Sequence, residues 1–257
     1  MGDQLVARET GIVRSIVRPA IVESAQFYPF PGWNEGFTTS APLVYLALKG
    51  QNLLPVGKKL ILDVVPVDHI CAGMIMVAAQ ACVEEPRLVH QLSSGDLNPQ
   101  YIDRIVTLTG LYKRKRFREK ETGNKFINAL AAKMEIRPVA EETYNKMSLP
   151  LFGRWATSLQ KKLDDVTPSW GGGRVSGIVE RIKSAVDEVK RVTDEAASNV
   201  ELFKPFILEN KYIYRADNVR AVRDRLTPED RALIPWSPET IDIYDYWMNT
   251  HFPGLAK

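Results

Sequence analysis

The stretch Gly11-Ile12-Val13-Arg14-Ser15-Ile16-Val17-Arg18-Pro19-Ala20-Ile21-Val22 decides how the chain is read. Six of its twelve positions are Ile or Val, no continuous polar face separates them, and one proline, Pro19, stands near the end. Side chains branched at Cβ fit a pleated surface. The lack of alternation predicts a strand covered on both faces, as in a parallel sheet, with Pro19 marking its exit. Ahead of it, Asp3 to Glu9 reads as the last turns of a helix closed by Gly11 in a left-handed C-cap.

Downstream, Ser24 to Ser40 is rich in aromatic and turn-forming residues, among them Phe27, Tyr28, Pro29, Phe30, Pro31, Gly32, Trp33 and Phe37, and predicts a long, structured, apolar loop. A second extended stretch, Leu60 to Pro66, leads to Asp68 in an N-cap position and a helical run from His69 to Val83; a lost cap of this kind costs about 1 kcal/mol. A third, Leu88 to Ser94, precedes a helix over Pro99 to Leu111 with Ile102, Ile105, Val106 and Leu108 on one side. Strands alternating with helices predict an α/β region over residues 1–110. From residue 111 to 257 the apolar spacing becomes helical, with one short strand expected at Tyr212 to Tyr214. The longest pattern, Val175 to Phe203, buries one stripe and follows the hinge-like Gly171, Gly172 and Gly173. Packing on its own domain and self-association into a homo-oligomer are both open to it.

Composition narrows the function classes. Among 257 residues, 45% are hydrophobic and 25% charged, which excludes wholesale disorder and low complexity. A net charge of +3 does not call for a nucleic-acid partner. Cys71 and Cys82 read as small buried residues, too far apart on one helix to bridge, and with no secretory signal they fit a reducing, cytoplasmic compartment. The apolar run Ile70 to Val83 falls short of a membrane span. No G-x-G-x-x-G, P-loop, H-E-x-x-H or C-x-x-C pattern is present. His69, His90 and His251 are scattered, so no metal site is expected, and Ser94 and Ser158 lack a hydrolase elbow. The basic run Lys113, Arg114, Lys115, Arg116, Arg118 and Lys120, broken by Glu119, reads as a solvated helix face, a site for an anionic phosphate, or a contact with an anionic membrane surface.

Three motifs in order, Arg18-Pro19-Ala20-Ile21-Val22, Pro29-Phe30-Pro31-Gly32-Trp33 and Asp63-Val64-Val65-Pro66-Val67-Asp68, resemble the second half of the reductase domain of alcohol-forming fatty acyl-CoA reductases, an extended short-chain dehydrogenase type. Tyr214 to Arg231, Ile241 to Tyr246 and Pro253-Gly254 resemble that family's C-terminal male-sterility domain. The resemblance implies the second half of a Rossmann-like parallel-sheet domain over 1–110, followed by a mostly helical C-terminal domain over 111–257. It implies reduction of a long-chain fatty acyl-CoA to an alcohol through the aldehyde, with NADPH as donor. The family's glycine-rich dinucleotide loop and Tyr-x-x-x-Lys pair are expected ahead of Met1, so no catalytic residue is assigned here and the chain alone is expected to be inactive. Pro19, Ala20, Ile21 and Val22 would pack beside the nicotinamide and offer backbone groups to its carboxamide. Phe27, Phe30, Trp33 and Phe37 would line the acyl entrance, and the basic run would approach a CoA phosphate. The competing reading is a non-catalytic acyl-binding or dimerising module built on Val175 to Phe203.

Overall fold

The computed structural model describes residues 2–35, 53–55, 60–119, 137–139 and 211–256, with backbone alone at 53–55 and 137–139. Its strands are β1 (Ile16–Pro19), β2 (Ile21–Glu23), β3 (Leu53–Pro55), β4 (Val64–Pro66), β5 (Val89–Leu92) and β6 (Arg137–Val139). Its helices are α1 (Gly2–Arg8), α2 (Val67–Val83), α3 (Ile102–Glu119), α4 (Asp217–Arg223), α5 (Pro228–Leu233), α6 (Ile243–Asp245) and α7 (Phe252–Leu255), with a π-helical turn over Tyr246–His251.

Two parallel ladders share the segment that opens the sequence. β1 pairs with β5, Ile16 opposite Val89 and Pro19 opposite Leu92, while β2 pairs with β4, Ile21 opposite Val64. The exchange of partners happens at Ala20. Its N–H donates to Leu92 O at 2.9 Å, and the next N–H, of Ile21, donates to Asp63 O at 2.9 Å. Successive N–H groups of a strand point to opposite edges, so β5 and β4 lie on opposite sides of this segment. Pro19, which has no N–H to give, sits immediately before the switch. The three described ladders are parallel, with one isolated antiparallel bridge between Ile61 and Tyr101, and helices follow β4 and β5, so the α/β class expected from the sequence is the observed one.

Several expectations are corrected. The first strand is not covered on both faces: Ile16 and Val17 are half-buried, Arg18 and Pro19 exposed, and Ile12 and Val13 lie ahead of it at 63% and 60% exposure. Among the described residues no strand pairs with its other edge, so its apolar density is only partly satisfied. Cys71 and Cys82 are exposed, not buried. α2 is apolar all round, and its buried face carries Ile70, Gly73, Met76 and Val77, leaving Met74, Ile75 and Val83 outside with the cysteines. Tyr212 to Tyr214 form no strand. Instead β6 pairs in parallel with β3, Leu53 opposite Arg137, in two three-residue pieces too short to carry a periodic pattern. Val175 to Phe203, the triple glycine, Ser158, Phe37 and Lys120 lie outside the described residues. Among the described residues no helix is long and apolar enough to cross a membrane.

β4 is the wall between two cores. Val64 and Val65 are successive strand residues and therefore point to opposite faces. Val64 packs with Ile105 and Leu108 of α3 and with Ile241, Tyr246, Trp247 and Phe252. Val65 packs with Ile70 and Met76 of α2, with Leu92, and with Ala216, Val219 and Trp236. Gly73 lets α2 approach β5, since a Cβ there would stand 2.8 Å from Leu92 Cδ2. Each core thus joins early strands to the last forty-odd residues, and the expected boundary at residues 110 and 111 falls inside α3.

Candidate functional site

Where the β1–β5 ladder ends, a cleft of about 290 Å³ opens, lined by Arg18, Pro19, Ala20 and Ile21, with Ile61, Asp63, Gln91, Tyr212 and Tyr214 completing it. Carboxyl ends of parallel strands are the usual place for a ligand in an open α/β sheet. Val22 does not line the cleft and packs on the α2 core instead. Pro19 has no N–H, those of Ala20 and Ile21 are spent inside the ladders, and Arg18 O accepts Gln91 Nε2 at 2.7 Å. The backbone at 19–21 therefore has no N–H to offer a ligand, which restricts the expected backbone groups to carbonyl acceptors. Asp63 is 6% exposed; Oδ1 accepts the Ser94 N–H at 3.0 Å, and Oδ2 has no hydrogen bond of ordinary geometry. Burial raises its pKa, against the lowering by the nearby Ser94 and Gly95 backbone N–H groups. The backbone at 19–21 offers this lining no donor, while Arg18, Tyr212 and Tyr214 bring side-chain donors, so the cleft can meet a planar group that both donates and accepts.

The aromatic loop leaves the end of β2. Ala25 N–H donates to Trp33 O and Gly32 N–H to Ala25 O, both at 2.9 Å, so the loop closes on itself, with the Tyr28–Pro29 peptide cis. Phe27 and Phe30 are 60% and 51% exposed and Trp33 is half-buried. Asp68 is the latch, and its expected role as a helix cap is corrected. Pro66 holds the N-cap position of α2 without a side-chain cap bond. From the first turn, Asp68 reaches out to accept three backbone N–H groups, Gln26 at 3.0 Å, Phe27 at 2.8 Å and Tyr28 at 3.2 Å. His69 beside it is buried, with Nε2 2.8 Å from Gln26 Oε1 and Nδ1 accepting the Ser237 N–H at 3.4 Å. Burial lowers its pKa, against the raising by the Asp68 and Glu239 carboxylates.

The C-terminus seals the same end of the sheet. Tyr246 donates its hydroxyl to Ser24 O at 2.7 Å, and His251 Nδ1 stands 2.9 Å from Ser24 Oγ. His251 stacks on Tyr246 at 5.9 Å and lies 3.7 Å from the buried Glu23 carboxylate. Burial drives the His251 pKa down to about 3, so it is neutral at ordinary pH. Gly32 and Gly254 meet backbone to backbone: a Cβ on Gly254 would stand 2.1 Å from Gly32 O, and one on Gly32 would stand 2.7 Å from Thr250 O. Two motifs more than two hundred residues apart are thus halves of one contact.

The basic run is divided by burial. Lys113 is 1% exposed, and desolvation lowers its pKa, whereas Lys115, Arg116 and Arg118 face solvent. Among the described residues no group of three His, Cys, Asp or Glu side chains stands within reach of one metal ion. One Tyr-x-x-x-Lys spacing does occur in the chain, Tyr45 to Lys49. It follows the aromatic loop, where the resemblance places the pair before the first strand, and it lies outside the described residues.

Residues 1–74, which carry the cleft-lining strand, the aromatic loop and the Asp63 to Asp68 motif, match the NAD-binding family described as male sterility protein. Similarity to fatty acyl-CoA reductases continues beyond them to nearly the whole chain. It is 27% identical over 247 residues to probable fatty acyl-CoA reductase 4 of Arabidopsis thaliana, covering 93% of this chain and 46% of that protein. Fatty acyl-CoA reductase 8 of the same plant is 27% identical over 99% of this chain and 50% of its own length. The chain is a homologue of the fatty acyl-CoA reductases. An alcohol-forming fatty acyl-CoA reductase of Simmondsia chinensis is 23% identical over all of this homologue and 50% of the plant protein. The chain spans about half the length of the curated relatives it matches. Asp63, Gln91, Tyr212 and Tyr214 were not singled out as site residues by the sequence. Asp63 stands in the quoted motif and was legible there; the tyrosines reach the cleft only through tertiary packing.

Proposed function

We propose that the chain supplies the nicotinamide-side cleft and the acyl-facing loop of an NADPH-dependent reductase that takes a long-chain fatty acyl-CoA through the aldehyde to the alcohol. The cleft at Pro19, Ala20 and Ile21 carries this reading, because it lies at the carboxyl ends of parallel strands and its lining combines side-chain donors with acceptors, as a carboxamide needs. The bound dinucleotide supplies hydride. The apolar atoms of Pro19, Ile21 and Ile61 flank the ring and exclude water, and Tyr214 closes the cleft from the C-terminal side. Asp63 is held near the sheet end by the Ser94 N–H, and burial raises its pKa. Phe27, Phe30 and Trp33, held by Asp68, form a wall for the alkyl chain, each covered methylene contributing about 0.8 kcal/mol. This reading assigns no residue of the chain to the glycine-rich loop or to the proton-donating Tyr-Lys pair.

Tyr214→Ala tests the cleft. In a form joined to an upstream dinucleotide-binding half, it is expected to raise the KM for NADPH about tenfold and leave that for the acyl-CoA unchanged. An unchanged NADPH KM removes the cleft from the cofactor site.

A further inference from the structure

A second cavity, of about 460 Å³, opens on the far flank of the turn that meets the aromatic loop. From α3 it is lined by Tyr112, Lys115, Arg116 and Glu119, and from the C-terminal turn by Met248, Asn249 and Pro253. Its shape is held in place. The Tyr112 ring stacks on Phe252 at 5.1 Å with a 30° interplanar angle, and Arg116 Nη2 donates to Ala256 O at 3.3 Å. The Arg116 guanidinium also lies against the Tyr112 hydroxyl, whose pKa burial raises. Both cations are exposed and so keep donors for a ligand. Two carboxylates oppose an anion there: Glu119 in the lining, and Asp245, which accepts Asn249 Nδ2 at 2.8 Å.

Pro253 in this lining is followed by Gly254, whose backbone meets Gly32 of the aromatic loop. One turn thus separates a cleft with two exposed cations and an aromatic wall from an exposed apolar loop. A molecule with an anionic, ring-bearing head and a long alkyl tail matches that order, and a lone phosphate would leave most of the cavity unfilled. We propose that this cleft holds the phosphorylated adenosine head of the acyl-CoA, with Lys115 and Arg116 on the phosphate and Tyr112 beside the base. The proposal rests on the reductase reading for its choice of thioester.

Binding of 3′,5′-ADP, CoA and dephospho-CoA to the full chain, measured by calorimetry at low salt, tests it. The Lys115→Glu/Arg116→Glu double variant is expected to weaken 3′,5′-ADP and CoA about tenfold or more and to leave dephospho-CoA less affected. Glu119→Gln is expected to tighten both phosphorylated probes severalfold, a gain that misfolding does not mimic. Unchanged 3′,5′-ADP affinity in both variants overturns the site and leaves the reductase reading intact. Failure of the wild-type chain to bind CoA in any form overturns the site and that reading together. Binding to phosphatidylcholine vesicles containing phosphatidylserine, without any to 3′,5′-ADP, makes the cleft a lipid-facing surface and overturns the proposal.

Discussion

Asp68 shows how one side chain carries a loop. Three backbone N–H groups converge on its carboxylate, so Asp68→Ala is expected to cost about 2–3 kcal/mol, beyond the roughly 1 kcal/mol of a lost cap. Urea unfolding checks this, and a loss below about 1 kcal/mol contradicts it. The sequence made the aspartate conspicuous and misassigned its work, because capping is a local rule and these partners lie some forty residues away. His251 gives a pH prediction with a definite sign. Its folded pKa of about 3 lies below the ordinary 6.5, so in that window the unfolded chain takes up a proton that the folded chain refuses. Its contribution to stability is whole above about pH 6.5 and is lost as pH falls toward 3, by up to about 1.4 kcal/mol per unit. His69 acts in the same direction; Asp63, with its raised pKa, favours the fold at low pH and partly offsets them. His251→Gln is expected to flatten the acid limb of a stability–pH curve, and an unaltered limb contradicts the assignment.

At the scale of elements, the meeting of the aromatic loop with the C-terminal turn is the contact most sensitive to a single carbon. Gly254→Ala puts a Cβ 2.1 Å from Gly32 O, and Gly32→Ala adds a clash with Thr250 O at a φ of +81°. Each is expected to lower stability by about 2 kcal/mol or more, visible as a drop in Tm. Gly2→Ala, with nothing within 4 Å, is the control and should leave Tm unchanged or slightly raised. Both glycines were quoted among the motifs, yet nothing in their local sequence says that they touch. The β-branched density at 16–22 was legible as a strand; the change of partner at Ala20 was not, because strand pairing depends on where β4 and β5 return. The exposure of Cys71 and Cys82 was hidden for the opposite reason: α2 is apolar on every side, and the sequence cannot say which side the sheet covers.

Across the whole molecule, the two cores make the ends of the chain interdependent. Trp236 and Trp247, at 3% and 0% exposure, pack on opposite faces of β4, so the early strands have no closed core without the C-terminal helices. A fragment ending at Gly110 is expected to show no cooperative melt by circular dichroism; a sharp transition would make residues 1–110 an independent domain. The alternation of strands and helices announced the class of the fold, while the reach of the last forty residues back to β4 is a long-range property that no local pattern carries. The central proposal is that this chain shapes the nicotinamide and acyl surfaces and does not itself carry the proton donor and nucleotide loop. Fatty alcohol formed from a long-chain acyl-CoA and NADPH, measured by gas chromatography, tests it most directly. The account predicts steady product from the upstream-extended protein and none from the 257-residue chain; sustained alcohol production by this chain alone would contradict it.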